Sequence, residues 1–103
     1  MKYDKNQIVE IKGVLWKIED GLITFKSEGK KVILNETLSI LWRLFDGISS
    51  IKNIIDDLYE KYKMENTKEH IEEIVELSID QLREEKLIVL KDNDEFGGWF
   101  DYE

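Results

Sequence analysis

The sequence contains no cysteine and no proline, and its only histidine is His70. Without cysteine there are neither disulfides nor thiolate metal ligands, and a histidine without a second ligand nearby indicates neither a metal site nor a catalytic base. No apolar run reaches the roughly 18 residues of a membrane span, and no signal segment leads the chain. We therefore expect a cytoplasmic protein that is not an enzyme and uses no metal or cofactor.

Positive charge is also scarce, because 15 basic residues stand against 23 acidic ones, giving a net charge of -8. Binding to phosphate groups needs clustered lysine and arginine. Nucleic acid and anionic membranes are therefore not expected as partners, whereas basic or neutral ones are. The length of 103 residues, of which 42% are hydrophobic, is enough for one domain with one core.

The most apolar stretch is Lys31 to Gly47, where a short strand leads directly into a helix. The apolar residues of this helix are Leu38, Ile40, Leu41, Trp42, Leu44 and Phe45. Their spacing leaves little polar surface, so other elements must enclose the helix. Asn35 is predicted to cap its first turn, and Gly47 is predicted to end it.

Ahead of this helix, the pattern predicts an antiparallel sheet of three strands. The first spans Ile8 to Ile18, with a bulge at Gly13 where the alternation of apolar residues changes phase. A hairpin turn at Asp20-Gly21 leads to the second strand, Leu22 to Phe25. After a turn at residues 27–29, the third strand, Lys31 to Leu34, is a candidate edge strand.

After the central helix, a second helix is predicted from a cap at Ser50, and a third from a cap at Asn66 or Thr67 to about Glu85. The core face of the third helix is expected to consist of Ile71, Ile74, Val75, Ile79 and Leu82. Leu87 to Leu90 reads as a final strand. This order predicts an α+β winged helix-turn-helix over residues 1–91, with a three-stranded N-terminal sheet, three helices and a short last strand. Residues 92–103 form an acidic, aromatic tail that we expect to be mobile.

The charge of the third helix distinguishes DNA binding from peptide or protein binding. Seven acidic residues and three basic ones lie between Thr67 and Lys86. A helix that enters the DNA major groove needs the opposite charge. Leu77 lies off the predicted core face and forms a mildly apolar strip with His70, Ile74 and Gln81. Leu77 either closes the edge of the core, is a harmless exposed leucine, or lines a groove.

Residues 32–89 resemble the PqqD family, the pyrroloquinoline quinone biosynthesis protein D. The resemblance is carried by Leu34-Asn35-Glu36-Thr37, Trp42, Asp46-Gly47, Ser50, Ile54-Ile55, Tyr62, Leu82 and Leu87-Ile88. One departure is Lys86, where relatives usually have glycine. These domains are leader-peptide recognition elements of ribosomally synthesised and post-translationally modified peptides. The resemblance implies a winged helix-turn-helix that binds a precursor's leader and presents it to a modifying enzyme, such as a radical SAM enzyme or a leader protease.

The resemblance further implies that the leader adds a strand beside the third strand, with its side chains entering a cleft toward the third helix. Independently of the resemblance, an apolar edge strand without proline or charge to prevent pairing is a template for another strand. The candidate peptide-binding residues are Lys30, Lys31, Val32, Ile33, Leu34, His70, Ile74, Leu77 and Gln81. We expect the acidic rim of the third helix to favour basic leader residues, and Lys30 and Lys31 to meet an acidic one. The alternatives are a winged-helix transcription regulator and a generic protein-protein adaptor.

Overall fold

The computed structural model describes residues 1–92. The elements in chain order are β1 (Ile8–Ile11), β2 (Trp16–Glu19), β3 (Leu22–Ser27), β4 (Lys30–Ile33), α1 (Glu36–Leu44), β5 (Asp46–Ser50), α2 (Ile51–Tyr62), α3 (Lys68–Glu84) and β6 (Ile88–Lys91). The strands form two antiparallel sheets, ordered β5-β1-β6 and β2-β3-β4. Within the described residues, no helix is both long and apolar enough to cross a membrane. The predicted tail, residues 92–103, lies outside the described residues except for Asp92.

The predicted meander is confirmed in the sheet β2-β3-β4, where β4 is an edge strand. Two-residue turns join its strands. Asp20 and Gly21 have φ values of 53° and 82°, and Glu28 and Gly29 have values of 53° and 79°. Positive φ at both central residues is the geometry that matches the twist of a hairpin.

The prediction of one long first strand is wrong, because the chain between Ile8 and Ile18 contributes to two sheets. It pairs with β6 as β1, and the Lys12 N-H donates to the carbonyl of Leu87 at 3.0 Å before the chain crosses to the other sheet as β2. Gly13 lies in this crossing and is not a bulge. The change of apolar phase marks a change of sheet. The fold is therefore a mixed α+β domain with two sheets, and its assignment as a winged helix-turn-helix stays a prediction.

Strand β5 was not predicted, and it pairs Ser50 with Ile8 and Asp46 with Glu10. Its sequence gives no alternation signal, because Ile48 is its only large apolar residue and is 79% exposed. Gly47 has a φ of 75° but lies in this strand and does not end α1. Helix α1 ends at Leu44, and the N-H of the C-cap residue Phe45 donates to the carbonyl of Trp42 at 3.2 Å.

The predicted helix caps are confirmed, because the side chains of Asn35, Ser50 and Thr67 each accept a backbone N-H of the first turn. Trp42 is fully buried at the centre of the core and stacks on Phe25, with ring centroids 5.6 Å apart. Helix α3 packs on this core through its buried residues, which are Ile71, Val75, Ser78, Ile79 and Leu82. Ile74, predicted to be part of that face, is only half-buried because it lies at the edge of the stripe.

Lys86, in the turn between α3 and β6, has a φ of 61°. This left-handed conformation is open to glycine but strained for a residue with a Cβ atom. Lys86 therefore adopts a conformation that glycine adopts more readily.

Candidate functional site

A cleft of about 350 Å³ lies between strand β4 and the C-terminal half of α3. Its lining residues are Phe25, Ser27, Val32, Ile33, Leu34, Asn35, Leu38, Gln81, Leu82, Glu85 and Leu87. The buried side chains of Phe25, Leu38 and Leu82 form an apolar floor, and the exposed side chains of Gln81 and Glu85 supply polar groups at the rim. The cleft is therefore an apolar hollow beside the open edge of a sheet.

The hydrogen-bond pattern shows which groups of β4 face the open edge. The Leu34 N-H donates to the carbonyl of Ile23 at 2.9 Å, so the backbone N-H of Leu34 points toward β3. In an antiparallel pair the bonded and non-bonded residues alternate, and Ile33 is opposite Thr24. The N-H and C=O groups of Ile33 and, two residues earlier, Lys31 therefore point away from the sheet, whereas those of Val32 pair with Phe25.

The structure gathers four of the nine predicted site residues at this cleft, namely Val32, Ile33, Leu34 and Gln81. Lys30 is exposed beside them, at the start of β4. Lys31 lies along a different hollow and its Nζ is 2.7 Å from the carboxylate of Glu19.

The remaining three predicted residues lie on α3 outside the cleft. Ile74 lines a separate pocket between the helices. Leu77 is 57% exposed and packs neither in the core nor in the cleft, and His70 is exposed in the first turn. Since helical residues advance by about 100° each, these residues still lie on the same side of α3 as Gln81.

Sequence reasoning missed seven lining residues of the cleft. Four are buried and three, Ser27, Asn35 and Glu85, are exposed. Phe25, Leu38 and Leu82 carry no separate signal, because a residue that floors a cleft has the same apolar pattern as a residue of the core. Glu85 could have been found. It lies four residues after Gln81, on the same side of the helix.

Part of the acidic surface expected beside the groove, namely Glu72 and Asp80, lies on the other side of α3 and contacts the N-terminal segment. The expected preference for basic leader residues stays a prediction. The Lys5 Nζ donates to the Glu72 carboxylate at 2.6 Å, and the Tyr3 hydroxyl donates to Asp80. The hydroxyl of Tyr3, together with the ammonium group of Lys2 at 2.9 Å, holds the pKa of Asp80 below its usual range. Burial raises the pKa of Tyr3, and the contact with Asp80 raises it further. The cleft itself keeps one carboxylate, that of Glu85.

The groups that line the site are backbone N-H and C=O groups, apolar side chains and a few polar side chains at the rim. Residues 1–92 hold no group of histidine and acidic residues that could bind a metal ion. An open strand edge with an adjacent apolar hollow is instead the arrangement by which domains take up an extended peptide.

The family model described as coenzyme PQQ synthesis protein D (PqqD) matches residues 20–88. This range is more than half of the chain and contains β3, β4 and all three helices, so the protein belongs to the PqqD family. The family consists of non-catalytic accessory proteins that bind a precursor peptide and work with a modifying enzyme. Membership therefore indicates a role in binding a ribosomal precursor peptide. Neither the curated proteins nor the solved structures contain a match to the chain.

Proposed function

We propose that this protein binds the leader segment of a ribosomal precursor peptide by strand addition to β4 and delivers the peptide to a modifying enzyme. The observation that carries the proposal is that the edge of β4, which no strand within residues 1–92 pairs, lies beside the apolar cleft. Delivery to an enzyme, of the radical SAM or leader-protease kind, rests on membership of the family.

The edge of β4 supplies the main-chain part of the interaction. Lys31 and Ile33 offer N-H and C=O groups at the spacing of an antiparallel ladder, and no proline occurs to interrupt it. Ile33 is 57% exposed, so its side chain does not block the approach of another strand to this edge. Main-chain pairing of this kind gives affinity with little dependence on the peptide's sequence.

The cleft supplies selectivity. Side chains of an added strand alternate, so every second residue of the leader points toward Val32 and the floor formed by Leu38 and Leu82. At about 350 Å³ the cleft is near the lower limit of small-molecule pockets and fits one or two apolar side chains. Glu85 at the rim favours a basic residue of the leader, and Lys30 favours an acidic one.

The test is a titration of isotope-labelled protein with synthetic peptides that cover the short reading frames next to its gene. We expect chemical shift changes concentrated in residues 30–35 and 70–82. Replacing Ile33→Pro should weaken binding about tenfold, because proline removes an outward donor that the added strand needs. The folded structure should survive, since this N-H makes no bond within the sheet.

Ile18→Pro is the matched control. Ile18 pairs with Ile23 near the other edge of the same sheet, is 50% exposed, and by the same alternation its N-H also points outward. This variant should bind the peptide normally. Equal binding by both proline variants, or shifts confined to α2, would place the peptide elsewhere and refute strand addition to β4.

A further inference from the structure

A second apolar pocket, of about 220 Å³, lies between the three helices. Its apolar walls are Ile40, Leu41, Leu58, Ile71 and Ile74, and Tyr62 completes them. The exposed side chains of Glu36 and Thr37 stand at its rim, so it opens to the surface.

This pocket and the cleft lie along the same side of α3. Ile74 lines the pocket and Gln81 lines the cleft, and seven residues are almost two full turns. The separation along the helix is about 10 Å, which an extended peptide spans with about three residues. Leu77, 57% exposed, lies between them, three residues from Ile74 and four from Gln81.

Helix α1 also connects the two hollows. Asn35 and Leu38 face the cleft, whereas Thr37 and Leu41 face the pocket, so the first turn of α1 forms the boundary between them. Strand β4 runs toward this turn. A peptide leaving the cleft at this end of β4 therefore arrives at the mouth of the pocket.

The size of the pocket suits one side chain. An apolar protein cavity of about 150 Å³ accepts a benzene molecule, so about 220 Å³ accepts a leucine or phenylalanine side chain. The same volume is below the roughly 300 Å³ at which pockets for whole small molecules begin.

We propose that this pocket holds an apolar anchor residue of the leader, about three residues before the segment that pairs with β4. The proposal rests on the proposed function above. The sheet β2-β3-β4 is antiparallel throughout, and antiparallel pairing is slightly more stable per residue, so the added strand runs opposite to β4. The N-terminal part of the leader then lies at the end of β4 nearest the pocket.

The experiment compares Thr37→Phe with Asn53→Phe. Both positions are exposed and neutral and lie in the first turn of a capped helix, but only Thr37 borders the pocket. A phenylalanine at position 37 should fill the mouth and weaken binding of the peptide found in the first titration by about tenfold or more. Asn53→Phe should bind it normally. Changing the anchor of that peptide to alanine should weaken binding to the wild type by a similar factor, with no further loss in Thr37→Phe.

N-acetyl-leucinamide serves as a second, independent probe of the pocket. At millimolar concentration it should shift the methyl signals of Ile40 and Ile74 in the wild type and not in Thr37→Phe. Normal peptide binding by Thr37→Phe, together with weakened binding by Ile33→Pro, overturns the anchor pocket and leaves strand addition standing. If no peptide binds to the wild type, the proposed function fails and the anchor fails with it.

Discussion

The two long sides of helix α3 differ in what covers them. One side carries Glu72 and Asp80, whose carboxylates contact Lys5 and Tyr3 of the N-terminal segment. The guanidinium group of Arg83 lies over the ring of Tyr3, 5.4 Å from its centroid. The N-terminal segment of the same chain therefore covers this charged side, which we call the closed side.

The other side of α3 carries Ile74, Leu77 and Gln81 and borders two hollows that nothing in residues 1–92 fills. The strongly charged side, which looks from the sequence like a surface for basic partners, is thus an intramolecular contact. The weakly apolar side is the one left open. On this helix, uncovered apolar surface is the better indicator of a binding site, because the charged groups Glu72 and Asp80 already have partners within their own chain.

The largest loss of stability is expected from a change on the buried face of α3, which packs the helix against the core. Ile79 is fully buried, and Ile79→Ala should lower the free energy of unfolding by about 2 to 5 kcal/mol because it leaves a cavity in the core. Urea denaturation measures this loss. A change below about 1 kcal/mol would mean that this buried face does not hold the helix.

The open side is disrupted by Leu77→Glu. A carboxylate placed between the cleft and the second pocket would have to be desolvated when a peptide covers both, so binding should weaken by on the order of 2 kcal/mol. Stability should not change, because Leu77 is off the core. Met64→Glu, at an apolar residue that is 92% exposed in the turn before α3, is the control that should bind normally. Titration calorimetry distinguishes the two variants.

The closed side is disrupted by Tyr3→Phe, which removes the hydroxyl that donates to Asp80. A hydrogen bond to a charged group contributes about 1.5 to 3 kcal/mol when it is buried, and the partial exposure of Asp80 lowers this to about 1 kcal/mol. Thermal unfolding should show this loss, and peptide affinity should stay at the wild-type value. Weakened peptide binding would mean that the two sides of α3 are coupled.

The same contact predicts a pH dependence. Because the Tyr3 hydroxyl and Lys2 lower the pKa of Asp80 in the folded state, their stabilisation is fully present above the unfolded pKa of about 4. It is lost as the pH falls through the lower, folded pKa. The difference in unfolding free energy between the wild type and Tyr3→Phe should therefore shrink below about pH 4. A difference that is constant down to pH 2 would contradict this.

The smallest effect is expected from Glu72→Gln, which removes the charge that faces Lys5. Partly exposed ion pairs contribute about 0 to 1 kcal/mol, and the amide can still accept a hydrogen bond. Chemical denaturation should detect at most a slight loss at low salt and none at high salt. A loss larger than that of Tyr3→Phe would show that charge, and not the tyrosine contact, closes this side.

Much of the fold was predictable where the signal is local. The caps at Asn35, Ser50 and Thr67 and the hairpin turn at Asp20-Gly21 are confirmed, because each depends on a side chain or a φ angle within a few residues. Strand β5 was not predictable in this way. Its pairing with β1 joins residues about forty positions apart, and its exposed sequence carries no alternation.

The candidate site was predictable in part for a similar reason. The edge strand and Gln81 follow from pattern and resemblance, and the structure places them at one cleft. The second pocket was not visible, because its walls come from three helices and each of its apolar residues reads as ordinary core.

The sequence by itself determined the helices, their caps, the β2-β3-β4 meander and, through its motifs, the family. These depend on hydrogen bonds and apolar periodicity within single segments. Only the tertiary structure decided that the first apolar stretch divides between two sheets and that Lys2, Tyr3 and Lys5 cover the acidic side of α3. Both outcomes depend on contacts between residues that are far apart in the sequence. The free energy of such contacts depends on how the whole chain packs, so it cannot be read from a single segment.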